Sequence, residues 1–266
     1  MISEFPLFCF TTLAGLGAGA YAAHAVFPVA KASKRAWLFP LICMVLLAVG
    51  LLGLPLHLGR PERMLIALSQ PSAMIAQEAY WSMAFGIVLL IDTIMLKVKG
   101  TAPRALHIVG AVFALVLMFI MGNAYFVSLA IPAWASWTTF LLFVFGDLAM
   151  GAALAALLGG LLACDDASDG KAEEAAAKND MFVKVRIVLS ALALIAFVAE
   201  AVHFSQVGLS FVPFAVSAVV AAAGIGVIVA SRMGKLSGKA ALWAEFVCLF
   251  AAVAIARYAF YAACVL

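Results

Sequence analysis

The chain has 266 residues, of which 67% are hydrophobic and only 11% are charged, and its formal net charge is +3. Its mean hydropathy is +1.18. A water-soluble protein carries charge on roughly a quarter of its residues, so a soluble globular enzyme is excluded. Apolar runs of about twenty residues, each long enough to cross a bilayer as a helix, recur along the chain. The sequence therefore predicts an all-α, polytopic integral membrane protein in which residues 1–266 form one domain.

Charged residues, prolines and glycines divide the apolar runs into eight predicted transmembrane helices. Their predicted bounds are Pro6 to Ala30, Trp37 to Leu56, Met74 to Leu96, Ala105 to Val127, Trp134 to Leu162, Phe182 to His203, Leu209 to Ala230 and Ala240 to Val265. Most connections are short. The Asp/Glu/Lys/Ala-rich stretch from Cys164 to Asp180 is predicted to be a solvated loop that is helical in part.

The basic residues lie mainly at one end of these helices. The connections after the first, third, fifth and seventh helices, with the adjoining helix ends, contain 13 of the 16 Lys and Arg residues: Lys31, Lys34, Arg35, Lys97, Lys99, Arg104, Lys171, Lys178, Lys184, Arg186, Arg232, Lys235 and Lys239. Since Lys and Arg near helix ends are retained in the cytoplasm, both termini are predicted to be extracytoplasmic. No Lys or Arg precedes the first helix, which is therefore not expected to be a cleaved signal peptide.

The cysteines do not form a cofactor-binding pattern. They occur without a CxxC or CxxCH spacing, at Cys9, Cys43, Cys164, Cys248 and Cys264. This argues against iron–sulfur ligation and covalent haem attachment within the chain, and no metal site is predicted.

Ionisable groups are costly inside a membrane span, so each one is a candidate for function. On the predicted outer side these candidates are His57, Glu78, Glu200, His203 and Arg257. His57 and Glu78 are expected to meet there, because an imidazole and a carboxyl together have the chemistry to hydrogen-bond the hydroxyls of a quinol and to accept their protons. Arg257 is expected either to hold Glu78 ionised or to bind a quinone oxygen itself.

The ionisable groups nearer the predicted cytoplasmic side have simpler interpretations. Asp92 and His107 are expected to be interfacial, whereas His24 and Glu245 are expected to form hydrogen bonds between helices. A proton route through His24, Asp92 and Glu245 is an alternative. Asp147 is predicted to lie near the middle of the fifth helix.

Small and aromatic residues mark packing surfaces and membrane boundaries. Gly15 and Gly19 form a GxxxG pair in the first helix, and glycines recur along the fifth helix; both are interpreted as helix-packing surfaces. Aromatic residues near outer helix ends predict an interfacial belt, with the lining of a ring-shaped pocket as the alternative: Trp81, Tyr125, Trp134, Trp137 and Tyr261.

The segment from His57 to Leu68 differs from the other connections. It has a break at Gly59, a proline at Pro61 where a helix can start, and an amphipathic continuation. It is predicted to lie flat on the outer surface. Arg60 and Arg63, the only basic loop residues on that side, fit either lipid phosphates or a docked partner.

Taken together, these motifs resemble the membrane anchor subunit of the dimethyl sulfoxide reductase family, and more distantly the polysulfide-reductase type of anchor. The resemblance spans essentially the whole chain. It rests on Glu4-Phe5-Pro6-Leu7 through Phe10-Thr11, on His57 to Leu68, on Glu78, on Tyr125 followed by Pro132-Ala133-Trp134, and on Arg257-Tyr258-Ala259-Phe260-Tyr261.

The resemblance implies an eight-helix, haem-free anchor in the prokaryotic inner membrane that oxidises quinol, expected to be menaquinol, near the outer face. It implies partners docked on that face: an iron–sulfur subunit and the molybdopterin catalytic subunit that the iron–sulfur subunit supplies with electrons. His57 and Glu78 would be the quinol-site histidine and glutamate. The further quinone contacts are expected from Arg60, Arg63, Tyr125 and Arg257.

The chain departs from the family pattern at three places. Asn123 stands where the family usually has Arg, Val253 stands where an acidic residue often precedes the arginine, and Ala76-Gln77 replace a common Ser-Arg. The electrostatics of the site are therefore expected to differ from those of other members.

Two other classes of protein share parts of this pattern. A dihaem cytochrome b would use four histidines, His24 and His107 on the inner side and His57 and His203 on the outer side. A secondary transporter would bind its substrate near the midplane, where Asp147 lies, but neither an internal repeat nor paired helix breaks are present.

Overall fold

The computed structural model describes residues 4–29, 33–58, 60–162, 172–236 and 238–263. These residues form a short 3-10 helix at Pro61–Arg63 and ten α-helices: α1 Phe5–Val26, α2 Leu38–Leu51, α3 Gly53–His57, α4 Met64–Leu68, α5 Met74–Lys99, α6 Arg104–Phe126, α7 Trp137–Leu162, α8 Ala172–Gln206, α9 Val212–Arg232 and α10 Gly238–Ala262. Eight spans are long and apolar enough to cross a membrane, and α2 together with α3 makes the second of them. The predicted eight-span helical bundle is confirmed.

Several helix ends differ from their predicted positions. The first helix ends at Val26, two residues before Pro28, whose ring would prevent its continuation. Helix α9 begins at Val212 with a proline in its first turn, as helices often do. Helix α8 extends back to Ala172, so the described part of the charged stretch is helical, in keeping with its alanine content. Gly59, Cys164 and the predicted ends at Ala30 and Val265 lie outside the described residues.

One end of the bundle holds both ends of the described chain, at residues 4 and 263, and we call it the terminal face. It contains the starts of α1, α5 and α7, the ends of α6, α8 and α10, and α3. Contacts between residues that are far apart in the sequence hold this face together. The Thr11 and Tyr261 hydroxyls lie 3.0 Å apart, and the indole N–H of Trp134 donates to the Phe260 carbonyl at 2.8 Å. The other end, where most basic residues lie, is called the opposite face.

The predicted surface segment is helical at the terminal face. The 3-10 helix leads into α4, which packs against α5, and the Tyr80 hydroxyl donates to the Leu68 carbonyl. Leu65 is 77% exposed, and Arg60 and Arg63 are exposed as well. The segment therefore presents both apolar and cationic side chains to its surroundings.

The first and seventh α-helices form the centre of the bundle. In their most apolar stretches 67% of α1 and 72% of α7 is buried, against 28–39% for the other spans. Gly19 of α1 lies directly against the backbone of Asp147 and Gly151 of α7, and a Cβ atom at Gly19 or Gly151 would clash with the facing backbone. The predicted packing role of the GxxxG pair is thus confirmed, because only glycine permits this approach.

A buried ion pair joins the same two helices to α10. The Asp147 Oδ1 atom lies 2.6 Å from a terminal guanidinium nitrogen of Arg257, and both side chains are fully buried. The guanidinium also donates to the carbonyl of Thr11 and lies over the ring of Phe143, 4.4 Å from its centroid. Gly15 leaves room for the Asp147 carboxylate against α1. Three helices therefore meet around one neutralised pair of charges.

Replacing Gly19 with alanine should destabilise the protein, because the added methyl group has only backbone to displace. Overpacking of a dense core costs roughly 1–3 kcal/mol. A lower midpoint of thermal unfolding of the purified protein in detergent would report this cost. Gly226→Ala is the matched control, since nothing lies within 4 Å of its Cβ position. Equal midpoints for the two variants would contradict the close packing of α1 on α7.

Replacing Asp147 with asparagine should destabilise the protein by about 3–5 kcal/mol, the usual cost of leaving one buried charge unpaired. The double variant Asp147→Asn with Arg257→Met removes both charges and should recover part of the loss. Thermal unfolding again measures the effect. Arg232→Gln breaks an exposed pair with Asp180 and should change the midpoint little. A double variant no more stable than Asp147→Asn alone would refute this account.

Candidate functional site

The terminal face gathers polar side chains from helices that are distant in sequence. His57 ends α3, Glu78 lies in the second turn of α5, Tyr125 lies in the last turn of α6, and Arg257 lies near the end of α10. These are four of the six residues predicted for the site. The structure places them on the same half of the bundle but gives them different partners.

His57 lies at the surface beside the start of α1. Its Nδ1 atom is 2.7 Å from the Glu4 carboxylate, and 33% of its side chain is exposed. The His57 ring nitrogen and the Glu4 Oε2 atom are in contact but are not aligned for a hydrogen bond. The carboxylate that meets His57 is thus Glu4, and not Glu78.

Glu78 is buried inside the bundle. Only 3% of it is exposed, and its Oε1 atom has no hydrogen-bond partner. It lies within electrostatic range of the Tyr125 and Tyr261 hydroxyls. Buried polar atoms in proteins are nearly always satisfied, so an unsatisfied carboxylate oxygen points to a ligand or a proton.

An aromatic cluster lies beside Glu78. The ring of Tyr125 packs within 5.5 Å, centroid to centroid, of Trp134, Phe143, Phe260 and Tyr261. All five rings are buried. The prediction of an interfacial belt is therefore wrong for Tyr125, Trp134 and Tyr261, whose rings face the interior. Only a structure shows which side of a helix end an aromatic residue occupies.

Trp81 and Trp137 are more exposed than the five rings of this cluster. Trp137 is 71% exposed, and the side chain of Trp81 is partly buried against Phe113. For Trp137 the belt interpretation therefore agrees with its exposure.

The three predicted arginines fall into two groups. Arg257 does not pair with Glu78, because its charge is matched by Asp147 in the core. This also accounts for Val253, since the expected acidic partner one turn earlier is supplied by α7 instead. Arg60 and Arg63 are exposed in the surface segment, where they are free to meet lipid or protein.

Thr11 links the ion pair to the aromatic cluster. Its carbonyl accepts a hydrogen bond from Arg257, and its hydroxyl lies 3.0 Å from that of Tyr261. Tyr261 in turn packs against Tyr125, next to Glu78. The core pair is therefore connected to the two tyrosines whose hydroxyls lie within electrostatic range of Glu78.

Sequence reasoning missed the role of Glu4, Thr11 and Asp147 in this arrangement. Glu4 and Thr11 belong to the N-terminal motif that carries the family resemblance, so the motif itself was a signal. Asp147 was noted only as a carboxyl in a span. Its partner lies 110 residues away in sequence, and no local pattern indicates a pair at that separation.

A second polar cluster lies near the opposite face. Asp92 is fully buried, accepts a hydrogen bond from the Tyr21 hydroxyl at 2.8 Å, and lies 3.2 Å from His107 Nε2. The prediction that Asp92 is interfacial is wrong, because α1, α5 and α6 enclose it. His24 is buried as well, with its ring centroid 4.9 Å from that of His107. The predicted hydrogen bond between helices is wrong for His24, because its Nδ1 atom accepts from the Val29 amide, its Nε2 atom has no hydrogen-bond partner, and it meets His107 only by ring packing.

Glu245 belongs to a different group. Its Oε2 atom lies 2.7 Å from the guanidinium of Arg186, which joins α8 to α10. No hydrogen bond or ion pair between described residues connects this pair with Asp92. The contacts therefore do not support a single proton route through His24, Asp92 and Glu245.

The histidines are not arranged as two pairs of axial haem ligands. The inner pair stands edge to face, with both rings next to the Asp92 carboxylate, so no haem plate fits between them. On the outer side His57 pairs with Glu4, while the Nε2 atom of His203 lies 3.1 Å from the Pro132 carbonyl. The dihaem arrangement gains no support from this geometry. Asp147 is likewise closed off by Arg257, which disfavours a midplane transport site.

Residues 1–263 match the family model described as DMSO reductase anchor subunit (DmsC). A search of the curated proteins finds no match. The family match covers nearly the whole chain and agrees with the eight spans, which makes the chain a multi-pass protein of the prokaryotic inner membrane. It also implies catalytic and electron-transfer partner subunits. The chain thus belongs to the family of DMSO reductase anchor subunits.

Proposed function

We propose that this anchor subunit oxidises quinol, with menaquinol as the expected substrate, at a site beside Glu78 near the terminal face. The terminal face is assigned to the extracytoplasmic side because most Lys and Arg residues lie towards the other face. Two electrons pass, one at a time, to an iron–sulfur subunit docked on the terminal face. That subunit supplies the molybdopterin catalytic subunit of the complex.

The observation that carries this proposal is the unsatisfied, buried carboxyl of Glu78. A quinol hydroxyl needs an acceptor for its hydrogen bond and for its proton, and the Oε1 atom of Glu78 is a buried acceptor without a partner. The neighbouring Tyr125 and Tyr261 supply flat aromatic surface and hydroxyl groups. Such a lining suits a ring that is apolar on its faces and polar at its edge.

Oxidation of one quinol releases two protons and two electrons and leaves the quinone. Glu78 accepts one of the two hydroxyl protons inside the bundle, while the half-exposed His57 with Glu4 accepts the other near the surface, and both protons then leave to the outer water. Glu78 and His57 therefore have different roles, and these roles do not require direct contact between the two side chains. Asp147 and Arg257 act through Thr11 and the tyrosines, so they position the site rather than react.

The surface segment is the proposed docking site for the iron–sulfur subunit. Arg60 and Arg63 offer positive charge and Leu65 offers apolar area on the same exposed strip. An acidic surface on the partner would complement this strip and orient the partner. Because the Leu68 carbonyl of the strip contacts the hydroxyl of Tyr80 on α5, two residues from Glu78, a cluster in a partner docked there would lie close to the quinol.

Glu78→Gln should lower quinol-dependent turnover of the assembled complex by about 100-fold or more, the usual contribution of a general base. Reduction of the terminal acceptor by a dye that feeds the catalytic subunit directly should be unchanged. Both rates are measured on membranes that contain equal amounts of complex. Glu200→Gln is the matched control, since Glu200 is another buried carboxyl of the same face but lies beside Thr138, whereas Glu78 is the carboxyl within electrostatic range of Tyr125 and Tyr261. Normal quinol turnover by Glu78→Gln would overturn the proposal.

Glu4→Gln and His57→Gln should each lower quinol turnover, by about 10-fold, and the double variant should be no slower than the slower single variant. The reason is that two groups acting as one proton acceptor give non-additive effects. The same quinol and dye assays measure this, with Glu62→Gln of the exposed segment as the control. If the fold-loss of quinol turnover in the double variant equals the product of the two single losses, the two residues act separately.

A further inference from the structure

We propose that His24, Asp92 and His107 bind a divalent transition-metal ion near the opposite face. The three residues come from α1, α5 and α6 and each offers one donor atom, and these atoms lie within 4.8 Å of one another. The site is at the other end of the bundle from Glu78, and it does not depend on quinol chemistry.

The donor set and its spacing suit such an ion. Two imidazoles and one carboxylate are common ligands of zinc, and a fourth position stays open for water. The Asp92 Oδ1 and His107 Nε2 atoms lie 3.2 Å apart. Metal–ligand bonds of about 2.0–2.1 Å give a tetrahedron with edges of about 3.3 Å. These two ligands therefore already stand at the separation that coordination needs.

The Asp92 carboxylate is held by a neighbour that leaves one oxygen for the metal. The Tyr21 hydroxyl donates to Oδ2 at 2.8 Å, so Oδ1 remains directed at His107 Nε2, with which it shares a hydrogen bond that a metal ion would replace. Hydrogen bonds of this kind orient the ligands of protein metal sites. Gly110 allows the Tyr21 ring to lie here, since a Cβ atom at that position would clash with it.

His24 supplies an independent indication that a ligand belongs here. It is only 4% exposed, it stacks on Phe39, and its Nε2 atom has no hydrogen-bond partner. Its Nδ1 atom accepts a hydrogen bond from the Val29 amide at 3.0 Å, so the ring proton resides on Nε2 in this state. Coordination through Nε2 moves that proton to Nδ1 and releases the Val29 amide. Metal binding is thereby linked to the turn that follows α1.

Charge and access are compatible with an ion at this place. Lys97 lies on the same helix as Asp92, and its ammonium makes a cation–π contact with the Trp37 ring, 3.9 Å from the ring centroid. The His107 side chain is 13% exposed at the start of α6 and provides a route from the surface. The Asp92 charge offsets half of the charge of a dication, and a bound hydroxide would offset the rest.

The test is metal binding by the full chain, purified in detergent and stripped with a chelator. Titration with Zn²⁺ should give one ion per chain, and Co²⁺ should give the visible absorption bands of a low-symmetry site. Asp92→Asn, His107→Gln and His24→Gln should each lose stoichiometric binding. Tyr21→Phe keeps all three ligands and should bind one ion 10- to 100-fold more weakly.

Glu245→Gln is the matched control, because it alters another buried carboxyl near the same face. It should bind zinc like the unaltered chain. Each variant's unfolding midpoint without metal shows whether it is folded, and a folded ligand variant should lose the stabilisation that zinc gives the unaltered chain. Absence of stoichiometric binding by the unaltered chain would overturn the proposal. So would full binding by Asp92→Asn, or an equal loss in Glu245→Gln.

Discussion

The arrangement of the bundle depends on one ion pair in its centre. Neither Asp147 nor Arg257 reaches water, so each charge is tolerated only because the other is 2.6 Å away. The pair needs space, which the glycines of α1 provide by letting α7 approach to backbone contact. Charge neutralisation and close helix packing are therefore two aspects of the same junction.

The central helix α1 carries polar groups at both of its ends. Towards the terminal face Thr11 connects Arg257 with Tyr261, and towards the opposite face Tyr21 and His24 lie against Asp92. A single buried helix thus positions two clusters of polar side chains, one towards each face of the bundle.

Hydropathy alone predicted the eight spans, because the need to satisfy backbone hydrogen bonds in lipid leaves helices as the only solution for such a composition. The sequence also marked Glu78 as a candidate site residue, because it is an ionisable group within a predicted span. The sequence did not predict which of the charged side chains are in contact. The sequence suggested Arg257 as the partner of Glu78, whereas Asp147 is the partner, and it suggested Glu78 beside His57, whereas Glu4 is there. Contacts between residues far apart in the chain depend on helix rotation, which composition and spacing do not determine.

The separation of the ion-paired residues along the chain bears on how the protein is made. Asp147 enters the membrane in the fifth span, while Arg257 is synthesised 110 residues later in the eighth. Throughout that interval the nascent chain holds an acidic group in lipid without its counter-ion. The ion pair forms only when the last helix has been made. The bundle therefore reaches its full stability, and can bind its partner subunits stably, only after synthesis of the chain is complete.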